Sequence, residues 1–394
     1  MRTIWTFHSA GQLVFGPHAV RQLGDIATQL GASRVLIVTD SALVRTGVLD
    51  HVRVALLEAG CVVEVFEGGE PEPSLAAVDS CVAAARRFEP EAFVGLGGGS
   101  NMDLAKITAT VLTHGGGPRD YVGEERVPGP IRPVLCVPTT AGTGSEVSAS
   151  AVLTDTQNHI KVGVLSNHLR SRAAVVDPLL TVSCPAKVTA DSGIDALTHA
   201  IEAYTAVDNA EFALPPGERT VYQGRHPLGD MLAEKAIALV GRYLRRAVLR
   251  GDDLEAREGM ALAATLAGLA FSNVGVALVH AMEYPVGGTT HCSHGAGNGL
   301  LLPFVMQFNL PARRHEFATI ARLLGAGDKP EDAIAAVESL KADIGIPARL
   351  RELGVRPEQL RPFAEKAASI QRILRVNPRP VTVEDVEGIF RAAY

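Results

Sequence analysis

The residues best suited to chemistry lie in the second half of the chain. Asp195 and His199 stand four apart in the segment DALTH, a spacing that puts both on one face of a helix. His280 closes the apolar run Ala277-Leu278-Val279, and His294 precedes Gly295 in a stretch that also holds His291 and Cys292. One carboxylate and three imidazoles suit Fe2+ or Zn2+ rather than Mg2+ or Ca2+, which favour oxygen shells. Spacing alone leaves a plainer reading open. The chain has 12 histidines, a lone buried histidine is usually a hydrogen-bonded core residue, and i, i+4 pairs arise by chance.

A second group of residues has the types that hold phosphate. Ala92 to Leu96 reads as a strand and runs into Gly97-Gly98-Gly99-Ser100, after which a helix begins. Glycines there let the backbone approach a ligand, and N–H groups at the helix start favour an anion such as a pyrophosphate. The triplet is not GxGxxG, so a plain turn is the alternative. A second loop, from Pro138 through Thr139 and Thr140 to Glu146, follows the strand-like VLCV. Ligands in open α/β sheets bind beyond the carboxyl ends of strands, so the two loops support one another. Helix capping by hydroxyls explains either one alone. Asp40 ends the strand-like RVLIVT. It reads as a ribose-binding carboxylate or as the cap of a helix starting at Ser41.

Both groups need elements to position them. Strand-like runs at Arg34 to Thr39, Val62 to Phe66, Ala92 to Leu96, Pro133 to Pro138 and Ala174 to Asp177 alternate with helical patterns. Those patterns cover Ala19 to Leu30, Val48 to Ala59, Ser74 to Phe88 and Met102 to Leu112. The alternation predicts a parallel sheet covered by helices. From about Ala190 onward nearly every periodic segment is helical, as in Met231 to Arg250 and Pro330 to Ile344. The expected division is an α/β domain over residues 1–186 and an all-α domain over residues 187–394. Gly259 to Val279 carries no charge and is long enough to test for a membrane span. Its Ala and Gly content and its Ser272, Asn273 and Gly275 point instead to a buried helix broken near Asn273.

Composition narrows the function classes. Of 394 residues, 47% are hydrophobic and 20% charged, enough apolar material for substantial cores. The net charge of −6 and the lack of basic blocks argue against a nucleic-acid partner. Five scattered cysteines without a CxxC pair predict neither disulfides nor a cysteine metal site, and fit a reducing cytoplasm. The first residues lack the basic start and apolar core of a signal peptide.

Several of these segments, taken in order, resemble the iron-containing alcohol dehydrogenase family. They are Phe15-Gly16-Pro17, GGGSNMDLAK from Gly97 to Lys106, PTTAGTGSEV from Pro138 to Val147, Lys161, Asp177-Pro178, DSGIDALTHAIEAYT from Asp191 to Thr205, His280 and His294-Gly295. The resemblance spans nearly the whole chain. It implies an N-terminal α/β dinucleotide-binding domain and an all-α C-terminal metal- and substrate-binding domain, an architecture similar to dehydroquinate synthase. Matched by position, it implies metal ligands at Asp195, His199, His280 and His294. It implies nucleotide contacts at Gly97, Gly98, Gly99, Ser100, Asp103, Thr139, Thr140 and Lys161, and a preference for NAD over NADP set by Asp40.

Two segments depart from the pattern. Many relatives carry histidine four residues after the third ligand, where this chain has Tyr284. An insertion runs from about Asn209 to Pro227 and includes Arg219 and Arg225. Both features are similar to the hydroxyacid–oxoacid transhydrogenase branch, which retains its nicotinamide cofactor. The resemblance therefore implies hydride transfer between a small alcohol or hydroxy acid and NAD, giving an aldehyde or ketone, with Fe2+ or Zn2+ as the metal. A transhydrogenase is the alternative, and a lyase resembling dehydroquinate synthase is a remote one. Tyr284 is expected as a catalytic proton shuttle or as part of the pocket wall. Arg219 or Arg225 is expected to hold a substrate carboxylate or to lie in a solvated loop. The expected setting is a cytoplasmic homodimer or higher homo-oligomer, with no membrane partner.

Overall fold

Nine strands appear in the computed structural model, which describes residues 2–157 and 160–394. They are β1 (Leu13–Phe15), β2 (Arg34–Val38), β3 (Val62–Phe66), β4 (Ala92–Gly97), β5 (Gly123–Glu124), β6 (Val134–Pro138), β7 (Ser150–Asp155), β8 (Ile160–Leu165) and β9 (Ala173–Val176). Six form a sheet in the order β1-β9-β6-β4-β2-β3, with every pairing parallel. β4 and β6 are buried at every residue, which explains their unbroken apolar sequences: a parallel sheet is covered on both faces. Alternate residues of β2 point to opposite faces. Leu36 and Val38 pack with Phe93 and Met102, whereas Val35 and Ile37 pack with Val52 and Leu56. The covering helices are α1 (Leu23–Gln29), α2 (Ser41–Arg45), α3 (Val48–Glu58), α4 (Leu75–Phe88) and α5 (Gly99–His114).

A small second sheet, β5-β8-β7, is not foreseen from the sequence. β7 alternates half-buried and buried residues, but Ser150, Thr154 and Asp155 dilute its apolar pattern. β1 has three residues, too few to register as a period.

Among the described residues every strand precedes Pro185. The chain divides into a unit of His8–Cys184 with Arg219–Val221 and a unit of Pro185–Glu218 and Tyr222–Tyr394, to which residues 2–7 also belong. The helical unit contains α6 (Ala186–Thr205), α7 (Pro227–Leu249), α8 (Leu254–Val274), α9 (Leu278–Thr290) and α10 (His294–Asn309). It continues with α11 (Arg314–Leu323), α12 (Pro330–Ile344), α13 (Leu360–Ala368), α14 (Gln371–Leu374) and α15 (Val383–Ala393). The uncharged stretch is indeed a buried, broken helix. α8 ends at Val274, where Gly275 takes a φ of 122 that suits glycine, and α9 leaves at 105°. No single helix among the described residues is long and apolar enough to cross a membrane.

Candidate active site

Three helices of the second unit bring the carboxylate and imidazoles together. α6 carries Asp195 and His199, α9 carries His280 in its first turn, and His294 opens α10 beside the capping Ser293. Donor atoms of Asp195, His280 and His294 all lie within 4.8 Å of one another. Asp195 Oδ1 stands 4.0 Å from His280 Nε2 and 3.9 Å from His294 Nε2. A four-coordinate ion with bonds of about 2.1 Å sets neighbouring ligand atoms about 3.4 Å apart. The two Asp195–histidine separations are therefore wider than that by roughly half an ångström. His199 lies alongside rather than within the cluster. Its ring stacks on Phe271 and on His280, with centroids 4.2 and 4.8 Å away, and its Nδ1 is 3.9 Å from Asp195 Oδ2.

Asn298 tests whether these residues fit a cation. Its amide nitrogen is 2.8 Å from Asp195 Oδ1 and 3.1 Å from both His280 Nε2 and His294 Nε2. An amide NH2 has two hydrogens and cannot serve three acceptors at once, whereas a single cation meets all three. Its Oδ1 is buried and has no hydrogen-bond partner among the described residues. Burial pushes the Asp195 carboxyl up, but the charges of His199, His294 and His280 and the Asn298 amide outweigh it, holding the group below its ordinary range. The set of one anionic oxygen and imidazole nitrogens fits Fe2+ or Zn2+.

The phosphate-type loops leave three neighbouring strands of the first unit. Gly97 pairs with Pro138, and Val38 with Gly95. Asp40, the glycine turn and the Pro138–Ser145 loop therefore follow the carboxyl ends of β2, β4 and β6. Thr139 is buried, and its N–H donates to Gly97 O at 2.9 Å, tying two loops together. α5 starts at Gly99, and its N-cap Gly98 offers no side chain to the first N–H groups. A Cβ at Gly98 would meet only Thr140, at 3.6 Å, so the turn keeps open space above the helix start. Thr140, the neighbour of that space, and Ser100 are half-buried, and Ser100 Oγ accepts from Glu72 N at 3.1 Å.

Other expected nucleotide contacts have internal partners. Asp103 is buried and accepts from Ser145 Oγ at 2.6 Å and from Val152 N at 2.9 Å. Lys106, wholly buried, donates to Ser145 O at 2.7 Å and Ser150 O at 2.9 Å. Burial pushes the Asp103 carboxyl up against the pull of Lys106. Both side chains therefore shape the hydroxyl loop from beneath. Lys161, on β8, pairs with Glu72 at 2.6 Å. Asp40 is a helix cap: Oδ1 accepts from Ala42 N at 2.9 Å and Leu43 N at 3.2 Å. Its Oδ2 accepts from Asn101 Nδ2 at 2.8 Å. A carboxylate has about four lone-pair sites, so the cap leaves capacity for a further donor.

Tyr284 is half-buried on α9, one turn beyond His280. Its hydroxyl accepts from Arg372 Nη2 at 3.4 Å, and the Arg372 guanidinium stands 6.0 Å from its ring centroid. The insertion's arginines behave differently from the carboxylate-binding expectation. Arg225 is committed to Asp230 at 2.9 Å, to Glu316, and to the face of Tyr204 at 5.0 Å. Its guanidinium is already engaged by anions of the protein itself. Arg219 is exposed.

The sequence reading does not single out Glu202, Glu283, Asn298 or Asn101. The first three carry a helical signal: Glu202 extends the Asp195/His199 face to i+7, Glu283 follows His280 by three, and Asn298 follows His294 by four. Asn101 holds Asp40 and Leu96 O, a contact between separate loops that no local pattern encodes.

An α/β unit with a glycine turn at its strand ends, and a helical unit with a carboxylate–imidazole cluster, together have the parts of a metal-dependent dehydrogenase. Comparison with known proteins makes that class specific. Residues 10–178 match the iron-containing alcohol dehydrogenase family, and residues 218–394 match the C-terminal part of the Fe-containing alcohol dehydrogenase family. The 1,3-propanediol dehydrogenase of Klebsiella pneumoniae is 39% identical over 389 residues, covering 96% of each chain. The NAD-dependent methanol dehydrogenase of Bacillus methanolicus is 38% identical, covering 96% of this chain and 97% of its own. A crystal structure of a 1,3-propanediol oxidoreductase superposes with a TM-score of 0.93 at 38% identity, over 99% of this chain and 100% of that one. The chain belongs to the iron-containing alcohol dehydrogenase family. It is a metal-dependent oxidoreductase of alcohols and aldehydes. The relatives' names favour neither the transhydrogenase nor the lyase reading.

Proposed function

We propose that this enzyme interconverts a short primary alcohol or diol and its aldehyde, with NAD as hydride carrier and Fe2+ or Zn2+ at Asp195, His199, His280 and His294. The convergence of Asp195, His280 and His294 around one point carries the reading. The relatives named for 1,3-propanediol and methanol support the substrate class. An ion held by these four residues would supply positive charge for the alcohol oxygen, and bound NAD would supply the hydride acceptor.

The chain's own residues then have distinct tasks. Asp195 supplies the one negative charge of the donor set, and Phe271 covers the ring of His199 against water. Gly97, Gly98, Gly99 and Ser100 admit the pyrophosphate, helped by Thr139 and Thr140. Asp103 and Lys106 hold the loop that carries those hydroxyls, and Lys161, paired with Glu72, adds a further nucleotide contact. Asp40 accepts from the adenosine ribose and disfavours a 2′-phosphate. Tyr284 passes on the alcohol's proton, its hydroxyl oriented by Arg372.

The enzyme is further proposed to act in the cytoplasm as a homo-oligomer. Five free cysteines, three of them buried, support a reducing compartment. Leu249 and Leu254, 75% and 54% exposed at the junction of α7 and α8, offer apolar surface to a second copy. The test is a substrate panel of short alcohols, diols, aldehydes and 4-hydroxy acids with NAD and with NADP. Turnover of short alcohols with added NAD is the expected result. Turnover confined to hydroxy acids without added cofactor contradicts it.

A further inference from the structure

Each helix that brings a donor to the cluster also brings a buried polar side chain outside the donor set. Glu202 lies on α6, Glu283 on α9 and Asn298 on α10, and they are 4%, 0% and 0% exposed. Each reaches a donor on a different helix. Glu202 Oε2 meets His280 Nδ1 at 2.5 Å, Glu283 Oε2 meets His294 Nδ1 at 2.7 Å, and Asn298 Nδ2 donates to Asp195 Oδ1 at 2.8 Å. The contacts run from α6 to α9, from α9 to α10, and from α10 back to α6, a closed ring.

We propose that Glu202 and Glu283 are positioning residues that fix which nitrogen of His280 and His294 faces the metal, a step that rests on the metal centre proposed above. At these distances a carboxylate oxygen accepts from an imidazole N–H. The proton of each imidazole therefore sits on Nδ1, and the lone pair sits on Nε2. The Nε2 edge of each ring faces the cluster, 4.0 Å from Asp195 Oδ1 for His280 and 3.9 Å for His294. Both lone pairs consequently point toward Asp195. Glu202 is itself fixed by two backbone donors at the start of α9: Ala277 N to Oε2 at 2.9 Å and Val279 N to Oε1 at 2.6 Å. It thus caps the helix and aims the histidine with one side chain. A carboxylate on the far nitrogen also raises the imidazole's basicity, and loss of such a partner typically weakens metal binding about 10–100-fold.

The experiment uses the full chain stripped of metal, titrated with Zn2+ or Co2+ alone against a competing chelator, with urea unfolding of the metal-free protein alongside. Glu283→Gln is expected to weaken Zn2+ binding about 10–100-fold and to change the visible absorption of the Co2+ form. Glu202→Gln is expected to weaken binding and also to lower the metal-free urea midpoint, since it removes one of the two oxygens that cap α9. Wild-type Zn2+ affinity and an unchanged Co2+ spectrum in Glu283→Gln would overturn the proposal, as would a loss of metal-free stability alone. If Glu202→Gln does not fold, Glu283→Gln still decides. A wild-type chain that binds neither ion would instead overturn the metal centre itself, and the two failures are distinguished in one titration.

Discussion

Two adjacent glycines at the end of β4 allow backbone strain to be separated from ligand contact. Gly97 sits at φ 143, a conformation suited to glycine, and an added Cβ would lie 2.2 Å from Asn101 Nδ2 and 3.1 Å from Leu43 Cδ1. Asn101 is 2% exposed and holds Asp40 Oδ2 at 2.8 Å and Leu96 O at 2.9 Å, so it cannot retreat without losing both. Gly97→Ala therefore combines backbone strain of about 1–3 kcal/mol with two hydrogen bonds of about 1 kcal/mol each. The expected destabilisation is about 3–5 kcal/mol. Gly98 has an ordinary φ of −74, and its Cβ would touch only Thr140, at 3.6 Å. Gly98→Ala should leave stability within about 0.5 kcal/mol, as for a substitution away from strain and burial. It should nonetheless raise the KM for NAD several-fold, because the methyl group occupies the space above the helix start. Urea unfolding and initial rates against NAD check both variants, and Zn2+ affinity in each should match wild type because its donors lie on α6, α9 and α10. The reasoning fails if Gly98→Ala binds NAD as wild type does, or if Gly97→Ala is as stable as wild type.

Three further predictions concern residues whose surroundings differ from the sequence expectation or lie outside it. Asp40→Ser keeps an oxygen for the cap at Ala42 and Leu43 but removes the charge, so it should raise kcat/KM with NADP relative to NAD at little cost in stability; an unchanged ratio would leave Asp40 a cap alone. Arg225→Ala should destabilise the fold, because it strands Asp230 and Glu316, two of its anionic partners. The same variant should not discriminate an acid substrate from its neutral analogue, and a selective loss with the acid would restore the insertion to substrate binding. Lys341 is buried, donates to Leu300 O at 3.0 Å, and is pushed down to about 8 by that burial. Since the unfolded chain holds this proton up to a pKa of about 10.4, stability rises with pH between about 8 and 10.4 and is lost as pH falls through that window. Lys341→Met should flatten this slope, a difference on the order of 3 kcal/mol between neutral and alkaline pH, read from urea midpoints; parallel slopes in variant and wild type would refute it.

The parts that were readable in the sequence share a physical cause, and so do those that were not. β4 and β6 are buried on both faces, so their apolar runs stand out, and α7 and α12 show a clear helical period. Asp195 and His199 lie on one turn-repeat of α6, and the glycine turn announces itself by composition. β7 carries polar residues on its half-buried face, and β1 is too short for a period. The ring of Glu202, Glu283 and Asn298 depends on which helix faces which, and spacing along one helix cannot state that. Asp40 illustrates a third case: cap and ribose ligand need the same residue at the same place, and the structure establishes the cap while leaving lone pairs for the other role. Arg225 looked available because its loop is rich in polar residues, whereas its partners come from α7 and α11.

The most direct test of the account follows the hydride and the metal together. Metal-free enzyme is reconstituted with Fe2+ without oxygen, or with Zn2+, and given an alcohol deuterated at its carbinol carbon together with NAD. The account predicts that deuterium appears in the reduced cofactor, that the rate scales with bound metal up to one ion per chain, and that His280→Ala folds but neither retains metal nor turns over. Full activity in the metal-free enzyme, or a His280→Ala variant with wild-type metal content and rate, would contradict it.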